Sequence, residues 1–535
     1  RGKITAVQDS LGLASFAVLY DLPLTHSDTI VICVPLYSDV RKTIEPGSLT
    51  NDDFRNAMEE TVLFWTEKLN VVRFELPQKA MHYLNTFRSN LAYILINRDR
   101  DGIQPGSRSY ERSWIRDGSL TSSALLKGGL FVEPCKFIEW FGSFQFDSGK
   151  IPCVIDRRGP DPVPENDSHG QYIFAIAEYH RFTQDHSFLA QQYPRVQRAV
   201  QYIDQQRSLR RNEYYQSGND SLRCLYGLMP ESISHEGYMD KPRHSYWDDF
   251  FTLKGLKDAV IMAEILEDSE NVVDFRKIRD EFIADFYVSI DCSQKRHGID
   301  YIPGCAELGD FDATSTTIGL WPAGEWDSMV QHGGHQTFER YYDFFQQRRI
   351  SNVWNNYTPY EIRTVGSFLY MGLPAVSMEL LDFFFEHQRP SGWNQWAEVV
   401  SFNPDTVRFI GDMPHTWVGS DYINAFRSLF VFEEPETDRL ILASGIPFSW
   451  IQEETGISVT DLPTHYGNIS YRIQLSGNEY VITVSSLERM PTGGIVIPGY
   501  SLIYPENAMR TSKTILLKRT DVILFEAPKI VTLKK

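Results

Sequence analysis

The sequence predicts a mainly α-helical protein: an (α/α)6 barrel, or six-hairpin toroid, with N-terminal β-strands and a small C-terminal antiparallel β-sandwich. Three observations predict it. Between about residues 52 and 435, about twelve segments repeat apolar residues at helical spacing. Short and long loops alternate between them, and twelve helices make six hairpins closed into a double layer. On both sides of this region the period changes to that of strands broken by polar turns.

The N-terminal segment, 1–51, contains β-rich runs at 14–20 and 29–36. Two or three strands do not make a stable sheet alone, so this segment reads as the remainder of an N-terminal β-domain. Helical periodicity starts with Phe54, Met58, Val62, Phe64, Trp65 and Leu69, and continues near 78–97 with Met81, Leu84, Leu91 and Ile94. Further helices are predicted near 116–128, 134–146, 168–184, 188–207, 245–267, 271–290, 334–348, 358–371, 374–388 and 414–432. In 168–184, Tyr172, Ala175, Ile176, Tyr179 and Phe182 share one face. These define a catalytic domain over 52–435. After 436, runs at 457–460, 469–475, 480–485 and 514–518 alternate with turns, which defines a C-terminal β-sandwich over 436–535.

Composition narrows the function. The 535 residues carry a formal charge of −18, so the chain lacks the basic footprint of a nucleic-acid-binding surface. No stretch is apolar enough to span a membrane. Six cysteines are scattered without C-x-x-C or His partners at metal spacing, and they read as buried thiols rather than a disulfide framework. No metal or other cofactor is expected, since no ligand cluster, phosphate loop or nucleophile elbow stands out. The chain opens at Arg1, not Met, which is compatible with removal of a leader. A periplasmic or secreted location is favoured over a cytoplasmic one; oligomeric state is left open.

The chemistry concentrates in loops that precede helices, where a helical scaffold displays functional groups. Glu236 lies in Ser-His-Glu-Gly-Tyr (234–238), just ahead of Lys-Pro-Arg-His (241–244). Glu398 closes Asn-Gln-Trp-Ala-Glu (394–398), ahead of Gly-Asp-Met-Pro-His-Thr-Trp (411–417). Two carboxyls on aromatic-rich loops suit glycosidic hydrolysis, in which one protonates the leaving oxygen and the other activates water. Glu231, in Met-Pro-Glu-Ser, competes with Glu236 as the acid. Trp114, Arg116 and Asp117, in Trp-Ile-Arg-Asp, offer a stacking ring, donors and an acceptor for sugar hydroxyls. Asp167 precedes another helix and serves equally well as its N-cap. His244, Trp247, Trp396 and His415 are the further candidate substrate contacts beside the two glutamates. Trp326 belongs to another aromatic–acidic loop, Trp-Pro-Ala-Gly-Glu-Trp-Asp (321–327).

Taken in order, Trp-x-Arg-Asp (114–117), Asn-Asp-Ser-His-Gly-Gln (166–171), Glu236 before Pro-Arg-His, and Ala-Glu-Val-Val…Gly-Asp-Met-Pro-His-Thr (397–416) resemble the motifs of six-hairpin glycosidases. The resemblance is nearest to the bacterial glucoamylase-like branch and covers roughly 55–435. It implies a glycoside hydrolase acting on an oligo- or polysaccharide, with inversion as the expected stereochemical outcome. Glu236 would be the general acid and Glu398 the general base, with Arg116 and Asp117 gripping the sugar. His235 stands where that branch carries an aromatic, and Ala397 and Val399 replace its acidic or Ser neighbours of the base. The same fold also serves polysaccharide lyases and glycoside phosphorylases, and a non-catalytic carbohydrate-binding protein would keep it too.

Overall fold

The computed structural model describes residues 7–8, 14–15 and 50–535, except 236, 352–353, 406–409, 454, 477–478, 486, 499–513, 518–528 and 535. The chain forms two compact units, Arg1–Lys68 and Leu69–Lys535. In the first, Val7–Gln8 pairs antiparallel with Ala14–Ser15. Most of the predicted run at 14–20 and all of that at 29–36 lie outside the described residues. The helix Asn51–Leu69 starts on a reciprocal cap, in which Thr50 Oγ1 donates to Asp53 Oδ2 at 2.6 Å and accepts from the Asp53 N–H at 3.2 Å.

The second unit is mainly α-helical and contains twelve helices in two layers. Six inner helices form a ring in which each touches the next: Ile115–Lys127, Ser168–Thr183, Tyr246–Ile265, Ala313–Leu320, Arg363–Tyr370 and Thr416–Phe430, the last returning to the first. Each is preceded in sequence by an outer helix: Met81–Asn97, Val132–Gly142, His186–Ser208, Ser269–His297, Gly334–Ser351 and Pro374–Glu386. Up-and-down hairpins of this kind make all six inner helices run the same way.

Sequence explains the layering. Every residue of Ile115–Lys127 and of Thr416–Phe430 is buried, so neither helix has a solvent face. Small residues let the inner helices approach. A Cβ at Gly170 would lie 1.9 Å from the Phe251 carbonyl oxygen, and one at Gly255 would lie 2.6 Å from the Gly170 Cα. Two glycines thus form the crossing of Ser168–Thr183 with Tyr246–Ile265.

Two differences from the predicted helices follow. Ala313–Leu320 is a helix of the ring that periodicity did not reveal: it is short, Thr-rich and buried almost all round. Asn51–Leu69, counted with the barrel by its period, is not needed for the six hairpins. Its Phe54, Met58, Val62 and Phe64 are about half exposed.

The C-terminal strands form two sheets. Ile457–Thr464, Gly467–Ser476, Glu479–Ser485 and Lys529–Lys534 make an antiparallel sheet that Arg73–Glu75 extends from the other end of the unit. The second sheet holds Val431–Glu434, Arg439–Leu442, Ile495–Pro498 and Thr514–Leu517. Its Arg439–Leu442 and Ile495–Pro498 pair in parallel, which departs from a purely antiparallel sandwich. A further correction concerns the cysteines: Cys224 and Cys292 form a disulfide across 68 positions. Their separation hid the pairing, which depends on the helix Ser269–His297 passing beside the 220–224 turn. Cys135, Cys153 and Cys305 are free thiols. Among the described residues, no helix is long and apolar enough to cross a membrane.

Candidate active site

The intervals that lead into the inner helices are long: 98–114, 143–167, 209–245, 298–312, 352–362 and 387–415. They gather at the rim formed by the helix N-termini. A cavity of about 400 Å³ opens there. Trp114, Arg116 and Asp117 reach it from the start of Ile115–Lys127, and His415 and Trp417 from the start of Thr416–Phe430. Tyr110, His235, Tyr360 and Glu398 come from loops.

Glu398 is half-buried and held by two phenols. Tyr110 Oη donates to its Oε2 at 2.6 Å and Tyr360 Oη to its Oε1 at 3.2 Å. Gly411, at φ +70°, packs against it: a Cβ there would lie 2.4 Å from Glu398 Oε2 and 2.5 Å from its Cβ. The next residue, Asp412, builds the loop opposite. It accepts backbone N–H bonds from Arg108 at 3.0 Å, Ser109 at 2.7 Å and Tyr110 at 2.9 Å. Burial opposes its charge, but these N–H groups outweigh it and hold the Asp412 carboxyl below the usual range. The Gly-Asp pair therefore shapes the site from both sides: Gly411 makes room for Glu398, and Asp412 fixes Tyr110 onto it.

Beneath the cavity lies a charged aromatic floor. Arg116 pairs with the buried Glu165, its Nε lies 3.5 Å from Asp117 Oδ2, and its guanidinium lies 5.2 Å from the Trp417 ring. Arg363 lies 4.5 Å from the same ring and pairs with Asp421 at 2.9 Å. Burial pushes Asp421 up to about 6 against the pull of Arg363. Trp417 lines the cavity, and its buried indole N–H makes no hydrogen bond among the described residues. Burial lowers His415 to about 3 and His235 to about 4, which keeps both imidazoles neutral at ordinary pH.

The remaining predicted residues have the following places. Glu236 lies outside the described residues. Its neighbour His235 reaches the cavity, stacked at 4.9 Å on Trp247 and hydrogen-bonded to Ser234 at 3.0 Å and Ser315 at 3.1 Å. Ser232 and Ser234 both donate to Asp248, at 2.5 and 2.7 Å, which anchors the 232–235 segment to the start of Tyr246–Ile265. Burial, with the charge of Asp167, pushes Asp248 well above the usual carboxylate range. Asp167 and Trp247 sit one layer below the cavity, joined by a 2.7 Å bond from the indole N–H, and burial raises Asp167 as well.

The other four stand apart from the cavity. Trp396 is core, donating to the Phe384 carbonyl at 2.7 Å. His244 bonds Glu307 at 2.7 Å and Arg210 at 3.0 Å. Glu231 pairs with Arg210 and is half-exposed. Trp326 packs on His335 and Phe338 beyond the opposite end of the ring. Tyr110, Tyr360 and Trp417 line the cavity without having been singled out from sequence; Tyr110 and Trp417 lie near Trp114 and His415, and nothing local marked Tyr360. Among the described residues no group of three or more His, Cys, Asp or Glu is arranged to hold a metal ion.

No family model matches this sequence, and no curated protein matches it. Among solved structures, the chain is similar to a GH78 family rhamnosidase of Bacillus sp. GL1, with TM-score 0.52 and 10% identity over 79% of this chain and 43% of that one. An α-L-rhamnosidase from Dictyoglumus thermophilum gives TM-score 0.48 and 12% identity over 83% of this chain and 49% of that one. A GH63 mannosylglycerate hydrolase from Thermus thermophilus gives TM-score 0.46 and 10% identity over 63% and 99%. The chain spans less than half the length of the two rhamnosidases. The first of these likenesses, with the closed ring of hairpins, makes the fold an (α/α)6 toroid.

Proposed function

We propose that this protein is a glycoside hydrolase that cleaves O-glycosidic bonds of an oligo- or polysaccharide with inversion. Glu236 is the general acid and Glu398 the general base. One observation carries the reading: Glu398, gripped by Tyr110 and Tyr360, faces a cavity that also presents Asp117, Arg116 and the Trp114 and Trp417 rings. Carboxylate, ion-paired donors and aromatic faces in one cavity are what a sugar ring and its attacking water require. The glucoamylase-like relation rests on the sequence motifs. A periplasmic or secreted location is supported by the Cys224 and Cys292 bridge, since such bonds persist in oxidising compartments.

The test is turnover of aryl glycosides and oligosaccharides, with and without phosphate, by the protein and its Glu398→Gln and Glu236→Gln variants. Both variants should lose activity on substrates with poor leaving groups, about a hundred- to ten-thousand-fold for loss of general acid catalysis. Fresh product should show the inverted anomer by NMR. Retained configuration rejects the mechanism. Phosphate dependence, or an unsaturated product absorbing in the ultraviolet, rejects hydrolysis. Loss in Glu231→Gln but not Glu236→Gln transfers the acid role.

A further inference from the structure

The aromatic–acidic loop 321–327 takes no part in this site. It follows the C-terminal end of the inner helix Ala313–Leu320, at the rim opposite the candidate active cavity. There it borders a cleft of about 1160 Å³, almost three times the 400 Å³ at Glu398. The later turns of Ser168–Thr183 and Tyr246–Ile265 form one wall, and the strand-connecting turns at 435–438 and 465–466 form the other. The inner helix Thr416–Phe430, 15 residues long, separates the two rims by about 22 Å at 1.5 Å per residue.

The cations of this cleft are paired locally, and Glu436 and Asp438 leave it an acidic excess. Arg181 pairs with Asp258 and Glu178. Lys257 donates to Glu325 at 2.7 Å and to the Ala323 and Gly324 carbonyls at 2.8 and 3.0 Å. Glu433 takes two 2.6 Å bonds from Arg427. Ion-paired side chains keep fixed positions and retain spare lone pairs. Lys254 is less satisfied. Its buried ammonium makes one hydrogen bond among the described residues, to Asp258 at 2.9 Å, and has three donors to place. Buried donors require acceptors, from water or a ligand. Trp321 adds a flat ring: Lys127 Nζ lies 3.8 Å from its centroid in the cavity behind, and the indole also lines this cleft. Fixed donors and acceptors with no free cation, beside an indole, match the hydroxyls and C–H face of an uncharged sugar better than an anion. A phosphate or a uronate meets no unpaired cation excess here.

We propose that this far rim is a second carbohydrate-binding site, for a neutral oligosaccharide, separate from the cavity at Glu398. It would hold a remote stretch of glycan while the other rim works on a chain end or branch. The inference stands on the cleft's own lining and does not depend on the reaction assigned to Glu398.

The test uses the full chain carrying Glu398→Gln, so that no probe is consumed, titrated calorimetrically with maltohexaose, cellohexaose, xylohexaose, mannohexaose and, as a charged probe, hexagalacturonate. At least one neutral hexasaccharide should bind. Adding Ile261→Arg, at an exposed position on the cleft rim, should weaken it about tenfold or more. Trp321→Ala should do the same, while Asp117→Ala leaves it unchanged. In the otherwise unaltered chain, Ile261→Arg should leave aryl glycoside turnover unchanged. Binding that Asp117→Ala removes and Ile261→Arg spares overturns the second site while supporting the first. Absence of binding by every neutral probe, or preference for hexagalacturonate, also overturns it.

Discussion

Glu398 is controlled by residues that hold it rather than by its own position. Tyr110→Phe keeps the ring and removes a 2.6 Å bond to the carboxylate. Hydrogen bonds to charged groups are worth about 1.5–3 kcal/mol, so kcat should fall roughly ten- to a hundred-fold, with a smaller change in KM. Gly411→Ala places a methyl 2.4 Å from Glu398 Oε2 at a backbone angle that alanine resists. Activity should disappear while circular dichroism stays that of the parent. The two imidazoles at the cavity should be silent in the pH profile. With folded values near 4 for His235 and 3 for His415, neither changes charge between pH 5 and 8, and substituting Asn for either should leave any kinetic limb in that range in place.

At this scale the sequence was partly legible. Trp114, Arg116, Asp117, Glu398 and His415 meet in one cavity because each sits in a loop entering an inner helix or in that helix's first turn, a setting readable from turns and periodicity. Tyr110 and Tyr360 were not legible, because 27 tyrosines share the chain and nothing local separates a carboxylate-holding phenol from an edge of the core. Asp167 and Trp247 show the opposite case. Polar and aromatic residues beside a site motif were read as contacts, whereas burial makes them the support on which His235 rests.

Among the elements, one of the six inner helices left no amphipathic trace. Ala313–Leu320 escaped periodicity because a helix buried all round has no polar face to alternate with, and its threonines favour strands. Outer helices such as Met81–Asn97 were legible because one face meets water. Gly170→Ala should drive apart Ser168–Thr183 and Tyr246–Ile265, since its methyl would fall 1.9 Å from a carbonyl oxygen; denaturant titration should show a loss of roughly 1–3 kcal/mol or more. The joint between Thr416–Phe430 and Val431–Glu434 is the buried pair Arg427 and Glu433. Burial opposes the Glu433 charge, but Arg427 and its neighbours lower it from 4.5 to about 2. A depressed carboxyl contributes stability that is present above pH 4.5 and lost as pH falls toward 2. Glu433→Gln should therefore cost stability near pH 6, about 3–5 kcal/mol for breaking one side of a buried pair, and the difference from the parent should shrink in acid.

For the molecule as a whole, the double ring was legible from the rhythm of helices and loops, although the count of twelve held Asn51–Leu69 in place of Ala313–Leu320, and the disulfide was not legible. Cys224 and Cys292 tie the 209–245 interval, which carries the proposed acid, to the outer helix Ser269–His297. Removing the bond by reductant or by a double Ser substitution should lower the thermal midpoint, for a loss of roughly 2–4 kcal/mol.

The loops also differ between the two rims. Those entering the inner helices reach 37 residues, over 209–245, whereas those leaving them include 184–185, 266–268 and 371–373. Evolution can lengthen, shorten or exchange segments at one rim without disturbing the helix crossings, and has little slack at the other outside 321–333. Tolerance to insertion should follow the same asymmetry. A short Gly-Ser graft between 157 and 158 should express as folded protein, and the same graft between 184 and 185 should not. New specificity in this scaffold would then arise by loop replacement on a single side, with the core inherited unchanged.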